Sequence, residues 1–473
     1  MIEAVKKRIE NKRVLILGFG REGRSTLKLF LSAGGAGELA IGDVKEIDLS
    51  RLAESDETFA DMDLSKIVLH CGREYQKVID DYDLVMKSPG IVLEKPAEEY
   101  DAEILSQMQL VFEVYRDRII GITGTKGKST TTTLLYHILK EAGMPAVLAG
   151  NIGIPVFDIL DEIREDSVLV LELSCHQLEY MTVSPKRGVL LNIYEEHLDH
   201  YGTMEKYVAS KKKIYVNQTK GDLLYVHPSV APQSGVYKGK SILVDAVSCY
   251  GHADEEKDRI NNEEVLLQGT RIVYKERTFD IPTEEISLLG AHNYLDIAFV
   301  YGICCDMGIS DEQFLSGLRS YVPLPHRLQF IGTVEGISYY DDSISTIDET
   351  TIQALNTIEN ADTVLIGGMD REISYVNLEE YLSQSKVAHI ILMEATGKRI
   401  YEEIMKNMPD FQGKERLYVV EHLKDAVKLA KEITAKGGSC ILSPAAASYG
   451  IFKNFEERGE CFKELVLDRN DTK

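Results

Sequence analysis

The chain has 473 residues, of which 44% are hydrophobic and 27% are charged. This composition is typical of a globular protein, and the length predicts about two to four domains. The net charge of −23 at neutral pH argues against non-specific binding to nucleic acids or membranes, so we expect neither as a partner.

Short apolar segments alternate with amphipathic segments in three successive blocks, a pattern that predicts parallel sheets covered by helices. We expect domains over residues 1–108, 109–325 and 326–473. Residues 250–289 differ, since they read as short charged strands of a small antiparallel addition, and a helix is predicted over Tyr294–Cys304. The predicted strands are Arg13–Leu17, Leu39–Asp43, Ile67–Cys71, Leu84–Met86, Ile119–Ile122, Ala146–Ala149, Val168–Leu173, Gly188–Ile193, Ile337–Asp341, Thr363–Ile366, His389–Met393, Leu417–Val420 and Ser439–Leu442.

The cysteine pattern and the first residues bear on the cellular compartment. Seven cysteines are scattered along the chain without a Cys-x-x-Cys pair, which argues against a disulfide framework or a zinc site. Residues 1–10 are charged and lack the apolar segment of a signal peptide. No apolar run approaches the ~20 residues of a membrane span. We therefore expect a cytoplasmic protein.

Residues 118–135 place a glycine-rich turn between an apolar strand and a helix. The turn ends in Gly127, Lys128 and Ser129. In a P-loop this order surrounds phosphates with backbone N–H groups, places the lysine on the β- and γ-phosphates and the hydroxyl on Mg²⁺. The standard spacing requires a glycine where Ile122 stands. A glycine-rich turn without a ligand is the alternative, but strand, turn, Gly-Lys-Ser and helix occur together, which favours a phosphate site.

Acidic residues and histidines follow the next predicted strands. Glu172 lies at the end of a buried-type strand, where ligands of parallel α/β sheets bind, and a carboxylate there suits Mg²⁺. The following strand leads to Glu196 and His197, and an imidazole is able to bind a metal or transfer a proton. A solvated acid and a polar loop are the alternatives. Lys211 begins a run of three lysines, and most such runs are solvated helix faces.

Gly18, Gly20 and Gly23 form a G-x-G-x-x-G pattern after the first strand, and Asp43 closes the second strand. Taken literally, this is a dinucleotide-binding fingerprint, which favours an NAD-dependent dehydrogenase. The same geometry suits the diphosphate of a UDP-linked substrate, and a tight turn for helix packing is a third interpretation. Residues 87–91 also follow a strand and are expected to complete such a pocket.

Together these motifs resemble those of the Mur ligase family, in matching order over nearly the whole chain. The resemblance implies an α/β fold of three domains: a Rossmann-like UDP-substrate domain, a central P-loop ATPase-like domain, and a Rossmann-like amino-acid-binding domain. The run from Leu442 to Phe455 is similar to the glutamate-site motif of the D-glutamate-adding members. The motifs that carry the resemblance are Thr123–Ser129, Gly150–Gly153, Glu172–Ser174, Asn192–Ile193 with Glu196–Asp199, His292–Asn293 and His326–Arg327.

The resemblance implies an ATP-dependent amide ligase of peptidoglycan precursor synthesis, which adds D-glutamate to UDP-N-acetylmuramoyl-L-alanine. ATP phosphorylates the substrate carboxylate, the D-glutamate amine displaces phosphate from the acyl-phosphate, and ADP and phosphate leave. The implied cofactors are ATP and two Mg²⁺ ions, the implied partners are small molecules, and a monomer is expected.

The resemblance also implies a role for each matching position. Lys128, His197 and Lys211 are the implied catalytic residues, and Lys211 is implied to be carbamoylated by CO₂. The implied ATP-binding residues are Gly124, Thr125, Lys126, Gly127, Lys128, Ser129, Thr130, Asn293, Arg327 and Asp342. The implied ligands of the UDP substrate are Gly18, Gly20, Arg21, Glu22, Gly23, Asp43, Ser88, Pro89, Gly90 and Asn151. The implied D-glutamate-binding residues are Thr346, Arg371, Ser448 and Phe455. The implied metal ligands are Ser129, Glu172, His197 and Lys211.

The sequence departs from the family's pattern at two of these segments. Ile344 stands where many relatives have a lysine, so a cation near the nucleotide or the amino acid is missing or comes from elsewhere. Arg371 replaces a second lysine, and a guanidinium is able to clamp a carboxylate with two bonds. Another amide ligase of the family and a non-catalytic P-loop protein stay open as alternatives. The alternative of an NAD-dependent dehydrogenase gives the phosphate loop no function.

Overall fold

The structure is a computed structural model that describes residues 1–60, 62–151, 154–233, 237–246, 263–371 and 373–467. The chain forms two compact units. The larger comprises Met1–Ile286 and Asn293–Tyr321, and the smaller comprises Ser287–His292 and Val322–Lys473. The domain boundaries predicted from the sequence stay a prediction. None of the helices in the described ranges combines the length and apolar character that crossing a membrane requires.

The larger unit begins with a five-stranded parallel sheet. Its strands are β1 (Arg13–Leu17), β2 (Glu38–Asp43), β3 (Val68–Cys71), β4 (Leu84–Lys87) and β5 (Glu103–Leu105), and its helices are α1 (Ile2–Ile9), α2 (Arg21–Ala33), α3 (Leu49–Ser55) and α4 (Gln107–Tyr115). The strand order is β3-β2-β1-β4-β5. A crevice suited to a ligand therefore lies at the carboxyl end of β1, between β2 and β4. The sequence predicts four of these strands to within one residue and misses β5.

A nine-stranded sheet follows in the same unit. Its strands are β6 (Ile119–Thr123), β7 (Ala146–Gly150), β8 (Val168–Glu172), β9 (Arg187–Leu190), β10 (Leu223–Val226), β11 (Lys240–Ala246), β12 (Glu263–Gln268), β13 (Arg271–Tyr274) and β14 (Arg277–Asp280). Its helices are α5 (Lys128–Glu141), α6 (Cys175–Leu178), α7 (Leu198–Tyr201), α8 (Met204–Lys212), α9 (Ala291–Asp306) and α10 (Asp311–Ser320).

In this sheet the strand order is β14-β13-β12-β11-β10-β9-β6-β8-β7, so β6 lies between β8 and β9. All pairs from β7 to β12 are parallel, and the last three strands are antiparallel to one another. This confirms the predicted antiparallel addition, although part of the predicted segment, residues 250–262, lies outside the described residues. The sequence misses β10 and β11.

The smaller unit contains one six-stranded sheet. Its strands are β15 (Gln329–Val334), β16 (Ile337–Asp341), β17 (Ala361–Gly367), β18 (His389–Met393), β19 (Leu417–Val420) and β20 (Ser439–Leu442), and its helices are α11 (Asp348–Thr357), α12 (Val376–Gln384), α13 (Glu394–Asn407), α14 (Leu423–Ile433) and α15 (Phe455–Leu467). The order is β15-β16-β20-β17-β18-β19, with only β15 antiparallel to its neighbour among the described strands. The sequence misses β15, because this edge strand is half exposed on both faces and gives no alternating pattern.

Candidate active site

A glycine-rich loop joins β6 to α5. Gly127 precedes the helix with a φ of +82°, a left-handed conformation that favours glycine. A Cβ atom here would lie 2.6 Å from Oδ1 of Asp296 on α9. The close contact with α9 therefore also requires a glycine. The loop leads into the N-terminus of the 14-residue α5, whose backbone N–H groups and dipole suit an anion such as phosphate.

Asn192, just after β9, fixes the shape of this loop. Its Oδ1 accepts hydrogen bonds from the backbone N–H groups of Lys126 at 2.8 Å and Thr125 at 3.1 Å, and its Nδ2 donates to the Lys126 carbonyl oxygen at 3.1 Å. Its own carbonyl oxygen accepts from Thr125 N at 3.0 Å. These bonds lie beyond the end of β9, which is at Leu190, three residues before the predicted end at Ile193. They occupy two loop N–H groups and leave those at the start of α5 to face a ligand.

Two lysines supply positive charge at this loop. Lys128 Nζ donates to the Thr125 carbonyl oxygen at 2.9 Å, and Lys126 Nζ lies 3.1 Å from Oε1 of Glu196. Enclosure by the protein lowers the pKa of Lys128, and the carboxylates of Glu172 and Glu196 oppose that effect. A half-buried ammonium with few protein acceptors favours binding of an anion.

Glu172 ends β8 directly beside the start of the loop. It pairs in register with Ile122 of β6 and is 2% exposed. Its Oε1 accepts a hydrogen bond from Asn151 Nδ2 at 2.7 Å, whereas its Oε2 is buried and has no hydrogen-bond partner in the part of the chain that the structure describes. An unpartnered carboxylate oxygen is costly to bury and suits a hard cation such as Mg²⁺.

Within the described residues, no three His, Cys, Asp or Glu side chains form a metal-binding group. Mg²⁺ does not require such a cage, because it is commonly held by one or two carboxylates together with substrate phosphates and water. The residues present therefore fit Mg²⁺ in company with a nucleotide.

Lys211, on α8, is buried at the other side of the loop. It is 1% exposed, and its Nζ donates to the Gly124 carbonyl oxygen at 2.7 Å. Burial and then the charge of Lys128 lower the pKa of Lys211 to about 7. The solvated-face interpretation of this lysine is therefore wrong.

His197 directly precedes α7 in a left-handed conformation, with a φ of +58°. Its side chain is 43% exposed, and its Nε2 lies 3.8 Å from Oε2 of Glu196. The His197 ring contacts the His176 ring edge-on, with centroids 4.9 Å apart, and His176 contacts His200 in the same way at 4.4 Å. The carboxylate that pairs with Lys126 thus also lies beside His197, which brings this histidine to the rim of the loop.

The remaining predicted ATP-binding residues of the larger unit lie on two helices. Ser129 and Thr130 are the second and third residues of α5, and both are half buried. Asn293 lies in the first turn of α9, one helical turn before Asp296, the residue in contact with Gly127. The structure therefore brings these three residues to the glycine loop.

The glycine turn after β1 is held by the two neighbouring strands. Asp43 accepts hydrogen bonds from Phe19 N at 2.7 Å and Lys45 N at 2.9 Å. Ser88 Oγ donates to the Gly18 carbonyl oxygen at 2.8 Å. A Cβ atom at Gly23 would collide with that same oxygen. Asp43, Ser88 and Gly23 thus shape the turn, which accords with the helix-packing interpretation of these residues.

Other predicted ligands of the UDP substrate surround this turn. Gly20 precedes α2 with open space at its Cβ position, and Arg21 and Gly90 are exposed. Glu22 Oε1 accepts a hydrogen bond from Gln177 Nε2 at 2.9 Å. Pro89 is half buried. Glu22 therefore links the first sheet to the segment that follows Glu172.

The predicted D-glutamate residues all lie in the smaller unit. Arg371 is exposed, and its Nη2 donates to the Thr346 carbonyl oxygen at 2.6 Å, so these two segments meet. Ser448 is buried and its carbonyl oxygen accepts from Phe452 N at 3.0 Å. Phe455 begins α15, and its carbonyl oxygen accepts a hydrogen bond from Ser343 Oγ at 2.8 Å.

Asp342 and Arg327, predicted to contact ATP, also belong to the smaller unit. Asp342 is buried, and its oxygens accept hydrogen bonds from Leu328 N, Ser345 Oγ and Ser443 Oγ at 3.1, 2.5 and 2.7 Å. Burial raises the pKa of Asp342 to about 7, against the lowering effect of those bonds. Arg327 is half buried. Their contact with ATP stays a prediction.

Three residues of the site received no role in the sequence analysis. Asn192 and Glu196 bond to Thr125 and Lys126, which precede them by about 70 positions, and Tyr207 OH lies 2.9 Å from Thr125 Oγ1. Such pairings depend on the order of strands in the sheet. The signal available in the sequence was a polar residue near the end of the predicted strand Gly188–Ile193, at Asn192, which also belongs to one of the motifs that carry the family resemblance.

Comparison with known proteins identifies relatives over the full length. The sequence profile of the Mur ligase middle domain matches residues 122–304. The UDP-N-acetylmuramoylalanine–D-glutamate ligase of Geotalea uraniireducens is 32% identical over 473 residues, which cover 98% of each chain.

Solved structures show the same fold. UDP-N-acetylmuramate–alanine ligase MurC from Thermotoga maritima superposes with a TM-score of 0.55 at 18% identity, covering 96% of this chain and 98% of that one. MurF ligase from Thermotoga maritima in complex with ADP gives a TM-score of 0.53 at 15% identity, covering 98% and 96%. At these identities the likeness concerns the fold alone.

Proposed function

The chain belongs to the Mur ligase family, and we propose that it joins D-glutamate to UDP-N-acetylmuramoyl-L-alanine at the expense of ATP. It is a ligase of peptidoglycan precursor synthesis, as its relative of 32% identity over nearly the full chain is by name. The dehydrogenase alternative is set aside, because the family accounts for the phosphate loop and for the order of the motifs along the chain.

The observation that carries the proposal is the convergence of two buried groups and one half-buried lysine at one loop. Glu172 ends the strand beside β6, Lys211 bonds to Gly124 within the loop, and Lys128 begins the helix that follows it. A triphosphate bound at the start of α5 would meet a cation, helix N–H groups and a carboxylate able to hold a metal. This set of groups supports phosphoryl transfer by positioning and electrostatic stabilisation.

The chemical task is to make a carboxylate react with an amine. The carboxylate oxygen of the UDP substrate attacks the γ-phosphorus of ATP, and the bond between that phosphorus and the β,γ-bridging oxygen breaks to release ADP. The ammonium group of D-glutamate loses a proton, the resulting amine attacks the acyl carbon, phosphate leaves with the electron pair of the carbon–oxygen bond, and the nitrogen loses a second proton to solvent or to the departing phosphate to give the neutral amide. In this scheme Lys128 and the N–H groups of α5 orient the γ-phosphate and offset its charge.

The metal ligands are proposed from the same geometry. Ser129, Glu172 and His197 would hold Mg²⁺ together with the phosphates. The ion supplies positive charge that stabilises the oxygens of the transferring phosphoryl group. In a chain with a net charge of −23, such local cations are needed to offset repulsion among three anionic substrates.

We also assign carbamoylation to Lys211. The neutral amine attacks CO₂, a nitrogen–carbon bond forms, and one proton passes to solvent, which leaves an anionic carbamate. Burial beside the Gly124 carbonyl favours the neutral amine, whose pKa is lowered to about 7. The product would add an oxygen ligand for Mg²⁺ across the loop from Glu172.

Binding of the other substrates is assigned to two further regions. The turn at Gly18–Gly23 with residues 88–90 would take the UDP moiety, and Asn151, which bonds to Glu172, would meet the muramoyl end. Thr346, Arg371, Ser448 and Phe455 would take D-glutamate. Because UDP-linked precursors and ATP are cytoplasmic, we place the enzyme in the cytoplasm, as a monomer.

The test is phosphate release in the presence of Mg-ATP and UDP-N-acetylmuramoyl-L-alanine, with a panel of amino acids added one at a time. D-Glutamate should stimulate release far more than L-glutamate, L-alanine, L-lysine or diaminopimelate. Stimulation by another amino acid alone would assign the chain to a different reaction of the family. Depletion of CO₂ and bicarbonate should lower the rate, and isotopically labelled CO₂ should give a carbamate signal that Lys211→Ala lacks.

A further inference from the structure

Two arginines of the smaller unit lie close together but differ in their bonding. Arg371 is exposed, and within the described part of the chain its one hydrogen bond runs from Nη2 to the Thr346 carbonyl oxygen. Arg399, on α13, is three-quarters buried, and all three of its guanidinium nitrogens donate hydrogen bonds. Arg371 therefore has donors left for a ligand, whereas Arg399 is occupied by the protein itself.

The bonds of Arg399 enclose the loop that carries Arg371. Arg399 Nε donates to Oδ2 of Asp370 at 2.7 Å, and its Nη2 donates to the Ile373 carbonyl oxygen at 2.7 Å. These acceptors lie one residue before and two residues after Arg371. A planar guanidinium has a rigid fork geometry, so the two bonds fix the spacing of the loop's ends.

Arg399 is itself held in place by its own helix and by a buried aromatic ring. Its Nη1 donates to Oε1 of Glu403 one turn along α13 at 2.8 Å, and its guanidinium lies over the buried Tyr375 ring, 5.0 Å from the centroid. Tyr375 OH donates to the Ala445 carbonyl oxygen at 3.0 Å. Ile400, next along α13, is fully buried. The loop is thus tied to the core of the unit through Arg399.

The charge of Arg399 also affects the neighbouring loop residue. Asp370 adjoins Arg371 in the chain, and an unpaired carboxylate there would repel the carboxylates of an incoming amino acid. The bond from Arg399 offsets that charge and directs the Asp370 side chain to α13. Arg399 accordingly orients the loop and lessens the repulsion beside the open guanidinium.

We propose that Arg399 is a positioning residue of the amino-acid site, which holds the 370–373 loop so that Arg371 presents its free donors to a substrate carboxylate. This rests on the proposed function, in which Arg371 binds D-glutamate. We assign Arg399 no contact with the substrate, because its side chain is three-quarters buried and each of its three guanidinium nitrogens already bonds to Asp370, Glu403 or Ile373.

The smaller unit also offers a matched control. Arg416 precedes β19, and its nitrogens donate to the carbonyl oxygens of Ser385, Val387, Leu382 and Gln412. It lies at the amino end of its strand, whereas the 370–373 loop follows the carboxyl end of the parallel β17. Arg416 is therefore an arginine with four bonds to backbone carbonyl oxygens and a structural role at the opposite edge of the sheet.

The experiment compares Arg399→Gln, Arg399→Lys and Arg416→Gln in the full chain. KM for D-glutamate, KM for ATP and the thermal unfolding midpoint are measured for each. Arg399→Gln should raise KM for D-glutamate about tenfold, equivalent to about 1.4 kcal/mol, without changing KM for ATP. Arg399→Lys keeps the positive charge but not the planar guanidinium, so it should raise KM for D-glutamate less than Arg399→Gln does. Arg416→Gln should lower the unfolding midpoint without changing either KM.

An unchanged KM for D-glutamate in Arg399→Gln, or an equal rise in Arg416→Gln, would overturn the proposal. If Arg399→Gln does not fold, Arg399→Lys carries the test, and an unchanged KM there overturns it as well. These outcomes differ from a failure of the proposed function. In that case the unmodified chain would show no phosphate release that depends on D-glutamate.

Discussion

The glycine loop of the larger unit and the 370–373 loop of the smaller unit are built on different principles. At the glycine loop, counting only partners among the described residues, Oε2 of Glu172 is buried without a hydrogen-bond partner, and the buried Lys211 has a single hydrogen bond, to a carbonyl oxygen. At the 370–373 loop, all three guanidinium nitrogens of Arg399 bond to protein acceptors, and the guanidinium of Arg371 is exposed. Buried charges without full partners are costly.

This difference indicates how each region responds to its ligand. Phosphates and metal would complete the electrostatics of the glycine loop, so changes there should affect the chemical step. Asp370 and Ile373 are already bonded to Arg399 without a ligand, so changes at Arg399 should affect mainly the affinity for the amino acid. The predictions below test this contrast, beginning with the largest effect.

Lys128→Ala should break the glycine loop's function most severely. Loss of the cation at the γ-phosphate is expected to lower kcat about a thousandfold, because the charge stabilises the transition state. The measurement is phosphate release at saturating substrates. Lys140→Ala, an exposed lysine in the last turn of the same helix, should retain full activity. Full ligation by Lys128→Ala would contradict the assignment of the loop.

Glu172→Gln should reveal the metal site. The amide keeps an acceptor for Asn151 but loses the charge, so we expect activity to fall about 10- to 100-fold and the Mg²⁺ concentration for half-maximal rate to rise. Glu165→Gln, an exposed residue just before β8, serves as the control. A Mg²⁺ dependence identical to that of the unmodified chain would remove Glu172 from the metal ligands.

Asn192→Ala tests whether the two loops act independently, because it removes hydrogen bonds that hold the glycine loop without removing a charge. Its side chain makes three hydrogen bonds to the loop, each worth about 1 kcal/mol. We expect KM for ATP to rise about tenfold, with KM for D-glutamate unchanged. Steady-state kinetics of Asn192→Ala give both KM values, and the exposed variant Asn217→Ala serves as the control. Equal effects on both KM values would show that the regions are not independent.

His326→Gln should give the smallest effect, on stability. The hydrogen bond from His326 Nδ1 to Asp341 Oδ2, 2.6 Å long, raises the pKa of this histidine. The charged pair therefore stabilises the fold fully below the unfolded pKa of about 6.5, and this stabilisation is lost as the pH rises through the higher folded pKa. The unfolding midpoint should exceed that of His326→Gln by about 2 °C at pH 6 and by less at pH 9. A difference in unfolding midpoint that grows as the pH rises would contradict the predicted direction of the pH dependence.

The sequence predicted one region of the molecule in more detail than the other. Apolar runs were enough to find β1, β6 and β8, and the motif spacing was enough to bring Gly127, Lys128 and Glu172 to one edge of a sheet. The bonds from Asn192 to the loop were not predictable, because they join residues far apart in the chain. Arg399 lies 28 positions after Arg371, and no local pattern marks its bonds to the loop around it.

Transfer of oxygen tests the central claim most directly. If the carboxylate of UDP-N-acetylmuramoyl-L-alanine is labelled with heavy oxygen, the acyl-phosphate route predicts one labelled oxygen in each phosphate released during ligation. The label should appear only with ATP, Mg²⁺ and the complete substrate set in turnover. Ligation that releases unlabelled phosphate, with the label kept in the product or lost to water, would contradict the account.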